Sequence, residues 1–320
     1  MQFYTDMENQ TLREDILLLE GLKVSSQFFI PTFILTLLIY IFIIVSNISL
    51  VILILSSRNL HQPMYLLLCN LSINDVVGAT VIIPRLLRDL LLSNSERYIH
   101  YTNCVIQAFG VHLNAGASHT VLMIMAFDRY VAICNPLRYS TIMTNRMVVK
   151  LSVAAWTVAF VMVAILLGLS IRLSRCRSVI FNPLCDNASL FKLSCDSVLI
   201  NQIYGLGYTV VLLGSSICSM TLTYLKIAVV CVRSKNKALN SKALQTCATH
   251  LTVYIILLGS GFIIVILHRF PQLSDHRKVV AIQRTVVLPA LNVVIYGLQI
   301  KEIKQRIIAL FHCSKVAQKK

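Results

Sequence analysis

The chain has 320 residues, of which 57% are hydrophobic and 13% charged, and its formal net charge is +16 at pH 7. Soluble domains carry roughly 25% charged residues, so this composition argues against a soluble globular protein. The positive excess lies in short segments between long apolar stretches. It therefore favours loops beside an anionic membrane surface and argues against a nucleic-acid partner.

Seven apolar stretches reach the roughly 20 residues that an α-helix needs to cross a bilayer core of ~30 Å. The predicted fold class is therefore an all-α integral membrane protein, a bundle of seven transmembrane helices. Arg284 interrupts the outer half of the last stretch, and we expect its long side chain to reach the membrane interface. In chain order the spans lie at about 27–57, 63–91, 104–134, 148–170, 199–231, 243–268 and 279–300.

The basic residues of the short loops fall on one side of this bundle. The positive-inside rule makes that side cytoplasmic and puts the N-terminus outside. The chain then divides into an extracellular segment 1–26, a seven-transmembrane domain 27–300 and a cytoplasmic tail 301–320. The basic residues concerned are Arg58, Arg138, Arg146, Arg233, Lys235, Lys237, Lys301, Lys304 and Arg306.

Two glycosylation sequons fall on the predicted outer side. One is Asn9-Gln10-Thr11 in the N-terminal segment, and the other is Asn187-Ala188-Ser189 in the long loop between spans four and five. N-linked glycans require an accessible asparagine on the outer side. We therefore predict glycosylation at Asn9 and Asn187.

Four of the ten cysteines lie at or between outer span ends, where an oxidising compartment permits disulfides. They are Cys104, Cys176, Cys185 and Cys195. Their number allows complete pairing, but the residues alone leave the connectivity open. The chain has no close CxxC pair, so no zinc site is predicted.

Polar side chains in the middle of three spans predict a shared cavity. Asp75 lies in span two, and a carboxylate at this depth costs a few kcal/mol unless it faces polar groups. Asn47 in span one and Asn292 in span seven lie at comparable depth. The cluster is either a hydrated switch that holds a sodium ion or static hydrogen-bonded packing between helices.

The inner end of span three carries the most specific motif. Residues 125–137 read MAFDRYVAICNPL, which closely resembles the signature of odorant receptors in the rhodopsin-like G-protein-coupled receptor family. The resemblance implies that Asp128 holds Arg129 at rest. It also implies that Arg129, with Tyr130 beside it, meets a G protein on activation.

Further matches follow in the family's order over roughly residues 45–310. They imply that Tyr224, His250, Asn292 and Tyr296 belong to the cytoplasmic switch. They also imply the disulfides Cys104–Cys185 and Cys176–Cys195. The matching segments are LHQPMY at 60–65, NLS at 70–72 before Asp75, Trp156, KALQTCATHL at 242–251 and PALN at 289–292 followed by Ile295-Tyr296.

The chain also departs from the family pattern. Val293 stands where span seven normally has proline, so a weaker kink is expected there. Leu257 and Leu258 replace an aromatic pair in span six. Ser118 stands where many members carry an acid in span three, which weakens the sodium hypothesis.

Ligand contacts are expected from spans three, five, six and seven, although small and aromatic residues at helical spacing are also ordinary bundle packing. No acid lies on the outer half of span three, which argues against an amine ligand. The candidates are His112, Ala115, Gly116, Tyr208, Leu212, Phe262, Val265 and Thr285.

After span seven, residues 301–311 combine an apolar stripe with a basic face. This pattern predicts a short amphipathic helix that lies on the lipids of the inner leaflet. Cys313 follows it and is either a palmitoylation site or a plain free cysteine.

The sequence predicts an odorant receptor of the plasma membrane that is not an enzyme and needs no cofactor. Its expected partners are a small-molecule odorant and a heterotrimeric G protein of the stimulatory olfactory type. The first alternative is a rhodopsin-like receptor for a peptide or a lipid. A transporter is the second, although the chain has no internal repeat or pair of broken spans.

Overall fold

The computed structural model describes residues 15–22, 24, 26–233, 237–267, 270–299 and 304–305. Seven of its helices are long and apolar enough to cross a membrane, which confirms the predicted fold class. We number them α1 Phe29–Ser56, α2 Pro63–Leu91, α3 Tyr101–Cys134, α4 Asn145–Ile171, α5 Leu199–Arg233, α6 Lys237–Leu267 and α7 Ser274–Gln299.

The predicted spans agree with these helices except at helix ends that continue beyond the apolar core. The start of α6 lies at Lys237, where span six was expected from about 243, and α7 begins at Ser274 instead of about 279. Charged residues end an apolar stretch, but they do not end a helix. The α3 helix has 34 residues and is therefore about 50 Å long, so its ends project beyond the bilayer core.

The α1 helix displays the lipid-facing surface most clearly. Its exposed residues Ile34, Leu38, Ile41, Val45 and Ile48 recur every three or four positions and so share one helical face. The opposite face buries Ile43, Asn47, Leu50 and Ile54 against the bundle. An apolar face of this length is stable only in contact with lipid or protein.

A small sheet covers part of the extracellular end. The strands are β1 Ile16–Leu19, β2 Tyr98–His100 and β3 Val179–Ile180, and β1 lies between an antiparallel β2 and a parallel β3. Leu17 and Leu19 of β1 are fully buried. Residues 16–19 are thus bound to the loop between α4 and α5, an arrangement that the polar composition of residues 1–26 does not indicate.

Two disulfides fasten the loop between α4 and α5. Cys104 at the outer end of α3 is bonded to Cys185, and Cys176 is bonded to Cys195 within the loop. These are the pairings that the family resemblance implies. The backbone N–H of Cys185 also donates to Gln107 Oε1 at 2.9 Å, so the middle of the loop lies across the outer end of the bundle.

Burial of Asn187 contradicts the prediction of a glycan there. Its side chain is 6% exposed, and its Oδ1 accepts the Ser170 hydroxyl at 2.7 Å. The Asn187 backbone N–H donates to His112 Nε2 at 3.1 Å. The sequon therefore lies on the part of the loop that is folded into the bundle, where it is inaccessible. The predicted sites Asn9 and Cys313, and most of the predicted 301–311 helix, lie outside the described residues.

We predict one N-linked glycan, at Asn9. Thr11→Ala, which removes the first sequon without changing its asparagine, should abolish the mobility shift produced by an endoglycosidase. Ser189→Ala removes the second sequon in the same way and should leave the shift unchanged, because Asn187 is buried. Gel mobility of receptor from mammalian cells measures both, and a shift lost in Ser189→Ala would contradict the burial of Asn187.

Candidate functional site

The inner end of α3 holds a buried ion pair. Asp128 is 0% exposed, and one of its carboxylate oxygens, Oδ2, accepts Arg129 Nε at 2.9 Å and also Arg129 Nη2. A charge-assisted pair of this kind is stronger than a neutral hydrogen bond. The guanidinium of Arg129 is therefore held against its own helix by Asp128.

The second oxygen of Asp128 is also occupied. Tyr139, in the short helix Tyr139–Ile142 of the cytoplasmic loop after α3, donates its hydroxyl to Asp128 Oδ1 at 2.9 Å. Burial, together with the negative charge of Asp128, raises the pKa of the Tyr139 hydroxyl. The hydroxyl therefore remains a protonated donor at neutral pH, and both oxygens of the buried carboxylate are satisfied.

Tyr224, His250 and Tyr296 lie at the same end of the bundle. The hydroxyl of Tyr296 is 3.3 Å from His250 Nδ1, and both side chains are fully buried. The Tyr224 hydroxyl and His250 Nε2 are buried with no hydrogen-bond partner among the described residues. Tyr130 packs beside them, with the Lys226 ammonium 5.6 Å from its ring centroid.

Two of the three polar side chains predicted to share a cavity in the membrane centre are joined directly by a hydrogen bond. Asn292 of α7 donates to Asp75 Oδ2 of α2 at 2.8 Å. Asn47, in contrast, donates its amide to the Ile43 carbonyl of its own helix at 2.9 Å. Asn47 Oδ1 has no hydrogen-bond partner among the described residues, so the direct hydrogen bond between helices in this cluster is the one between Asn292 and Asp75.

Two further polar networks cross the bundle, and our sequence analysis missed both. Between α2 and α3, Asn74 donates to Ser118 Oγ at 2.9 Å, and Asn114 donates to the Asn74 carbonyl at 2.8 Å. A second network is centred on Ser216 Oγ, which lies 3.3 Å from His119 Nδ1 and 2.9 Å from the Tyr254 hydroxyl. The sequence feature that could have predicted both networks is a single polar residue inside an apolar span. The same feature predicted a polar environment for Asp75.

A cavity of about 620 Å³ occupies the outer half of the bundle. It extends from Asp75 to the loop between α4 and α5, which contributes Asn182 and Phe191 among others. Pockets for small molecules have volumes of roughly 300–1,000 Å³. Six of the eight predicted ligand contacts line it, namely His112, Ala115, Tyr208, Leu212, Val265 and Thr285.

The other two predicted contacts do not line the cavity. Gly116 faces α4, where an added Cβ would lie 3.3 Å from the Cβ of Ala159. Phe262 is 41% exposed on α6. The helical spacing gave the correct depth for these residues, but it did not fix the rotation of each helix about its axis.

Arg284 does not reach the membrane interface, contrary to the sequence expectation. It is partly buried and lines the cavity. Its charge is close enough to act on Tyr208 of α5 and on His119 of α3. The outer half of α7 therefore brings a cation into the pocket instead of placing it beside the lipid headgroups.

Gly78 of α2 permits the close contact between α2 and α3. A Cβ at this position would lie 2.3 Å from Asn114 Nδ2, the atom that donates to the Asn74 carbonyl. We predict that Gly78→Ala lowers the free energy of unfolding by about 1–3 kcal/mol through overpacking, measured as thermal unfolding of the purified protein.

Gly168→Ala is the matched control, because nothing lies within 4 Å of a Cβ there, and it should leave stability nearly unchanged. In an Asn114→Ala background the cost of Gly78→Ala should largely disappear, since the obstructing amide is gone. Equal costs in both backgrounds would contradict this account.

Comparison with known proteins identifies the family. Residues 36–314 match the family model described as "Olfactory receptor". Human olfactory receptor 51E1 is 32% identical over 277 residues, which are 86% of each chain. Human olfactory receptor 4E1 is 36% identical over 299 residues, 92% of this chain and 93% of its own. Olfactory receptor 1500 of Rattus norvegicus is 32% identical over 312 residues, 97% and 98% of the two chains.

The match covers all seven membrane-spanning helices in whole or in part, and it includes the ion pair at the inner end of α3 and the cavity in the outer half. Membership makes the chain a receptor and not an enzyme, and it agrees with a multi-pass protein of the plasma membrane. The chain belongs to the olfactory receptor family of G-protein-coupled receptors.

Proposed function

We propose that this receptor binds a small-molecule odorant in the cavity of about 620 Å³ and then activates a heterotrimeric G protein of the stimulatory olfactory type at its cytoplasmic face. The observation that carries the proposal is the buried Asp128–Arg129 pair below that cavity, in a chain of this family. We call the Asp128–Arg129 pair the latch. In this proposal a ligand bound in the cavity acts on the latch.

The α7 helix connects the two sites. Thr285 and Pro289 line the cavity, whereas Asn292 and Tyr296 lie one and two turns further inward and contact Asp75 and His250. A ligand that binds one arrangement of α7 more tightly shifts the population toward that arrangement. Coupling between cavity and latch therefore needs only a change in how this one helix packs.

The resting arrangement leaves an unfavourable feature that activation can remove. The Tyr224 hydroxyl and His250 Nε2 are buried without partners among the described residues, and each unsatisfied group costs about 1–3 kcal/mol. Arg129 lies close enough for its charge to act on both side chains. An arrangement in which Arg129 leaves Asp128 for Tyr224 would offset part of the lost ion pair, which keeps the two states close in energy.

The cytoplasmic surface offers an apolar anchor for the G protein. Leu137, in the loop after α3, is 95% exposed next to the Asp128–Tyr139 contact. In the proposal the G protein buries this side chain, and burial of a Leu side chain contributes about 1.5–3 kcal/mol. Movement of Tyr139 away from Asp128 would therefore also shift this anchor.

Three finer assignments belong to the proposal. The Asn292 Oδ1 atom is buried without a partner among the described residues beside the Asp75 carboxylate, so a sodium ion would find oxygen ligands there. We also propose that residues 301–311 lie on the membrane lipids and that Cys313 is palmitoylated. Both assignments rest on the sequence pattern alone.

A receptor for a peptide or a lipid is the second candidate. The cavity is covered by the loop between α4 and α5 and has the volume of a small-molecule pocket, which favours an odorant over a peptide. A transporter would need a path from the cavity to the cytoplasmic face. The buried side chains of Tyr296, His250 and Asp128 fill that region.

We predict that Arg129→Ala abolishes odorant-dependent cyclic AMP accumulation, because it removes the group that the latch releases to the G protein. Cells expressing a stimulatory olfactory-type G protein would be challenged with odorants, amino acids and bile acids after surface expression is confirmed. Arg146→Ala, which removes an exposed arginine at the start of α4, is the charge-matched control and should respond like the wild type.

Loss of the response in Arg129→Ala alone supports the proposed role. Equal responses in the wild type and Arg129→Ala would contradict it. Silence of the surface-expressed wild type toward the whole panel would contradict coupling to this G protein for these ligand classes.

A further inference from the structure

Arg284 is a partly buried cation of the cavity that has no hydrogen-bond or ion-pair partner among the described residues. The charged residues that line the cavity are Lys192, Arg277, Lys278 and Arg284, with Asp75 and Asp186 as the acids. The Arg277 guanidinium donates to Asn182 Oδ1 at 2.9 Å, and the Lys278 ammonium donates to Glu20 at 2.9 Å and to Asp275 at 3.3 Å. Arg284 makes neither a hydrogen bond nor an ion pair with the described part of the chain.

Arg284 is paired with neither acid of the cavity. Along α7 it precedes Asn292, the partner of Asp75, by eight residues, which places it about 12 Å further outward. Asp186, in the extracellular loop, accepts the backbone N–H of Ser189 at 2.7 Å as a helix cap. Neither carboxylate neutralises the guanidinium, so the cation faces the pocket.

A cation at membrane depth without a counter-charge costs several kcal/mol. The side chains on which it acts, Tyr208 and His119, carry no negative charge that could neutralise it. The walls contributed by α5 and α6 are mainly apolar and include Leu212, Leu257 and Ile264. The pocket thus combines a strong donor without a partner among the described residues, Arg284, with a hydrophobic surface.

We propose that Arg284 binds the carboxylate of the ligand and that the receptor is selective for small carboxylic acids with an apolar body. The planar guanidinium offers two parallel N–H donors that match both oxygens of a carboxylate, while the aliphatic or aromatic body packs on α5 and α6. This ligand class rests on the proposed function of the cavity as the odorant site.

A single carboxylate fits the pocket better than a phosphate. A phosphate dianion carries a second charge and three acceptor oxygens, whereas Arg284 supplies a single positive charge at its depth in the cavity. Two cations at the outer end already have protein partners, because Lys278 is paired with Glu20 and Asp275 and Arg277 donates to Asn182.

The signalling experiment compares carboxylic acids with the methyl ester and the primary alcohol of the same carbon skeleton, using cyclic AMP as the readout. The wild type should respond to acids of suitable length and much less to the matched neutral compounds. In Arg284→Gln the concentration for half-maximal response to the acid should rise at least about tenfold. For Arg284→Lys this concentration should lie between the values for the wild type and Arg284→Gln, because lysine keeps the charge but loses the two parallel N–H donors.

Arg88→Gln is the matched control, since it removes an exposed arginine at the outer end of α2 that does not line the cavity. It should leave the acid response at the wild-type value. An acid response that Arg284→Gln retains in full, or a wild type activated as well by ester and alcohol as by acid, would overturn the proposal.

Thermal unfolding of the purified receptor tests binding without a G protein. Acids should raise the Tm of the wild type and not that of Arg284→Gln, whose ligand-free Tm should equal or exceed the wild-type value because an unpaired buried charge is gone. If no acid shifts the wild-type Tm, the proposal fails. An acid-dependent shift without any cyclic AMP response would instead locate the failure in the proposed coupling.

Discussion

The structure depends on one constraint, which is that a bilayer core supplies no water to a buried polar group. Each ionisable side chain within the bundle must therefore find a partner or face a cavity. Asp128 meets this demand with Arg129 and Tyr139, and Asp75 meets it with Asn292. Arg284 faces the cavity instead. These three solutions mark the proposed latch, the centre of the bundle and the proposed ligand pocket.

The same constraint gives a physical basis for the proposed control of the inner site by the outer one. The polar contacts between helices are few, and each has a definite geometry, as in the networks centred on Ser216 and on Asn114. A ligand that changes the packing of α7 must therefore exchange specific hydrogen bonds for others. Exchanges of this kind give two discrete arrangements, because packed interiors do not deform continuously.

Sequence reasoning predicted the features that are local or strongly patterned. Uncharged stretches gave the seven spans, and the family resemblance gave both disulfides and the residues around Arg129. It could not predict the rotation of α6 that turns Phe262 out of the cavity, or the folding of the loop that buries Asn187. Both depend on contacts between distant segments. Arg284 was misjudged for a related reason, since its depth was readable but the cavity beside it was not.

The central claim is that Asp128 holds the receptor inactive. The most direct test is to measure ligand-independent cyclic AMP production by Asp128→Asn, normalised to surface expression. Removing the charge weakens the hold on Arg129, so basal signalling should rise several-fold, and Tyr139→Phe should raise it less. Asp275→Asn, at the exposed outer end of α7, should leave it unchanged. Basal signalling of Asp128→Asn at or below the wild-type value would contradict the account.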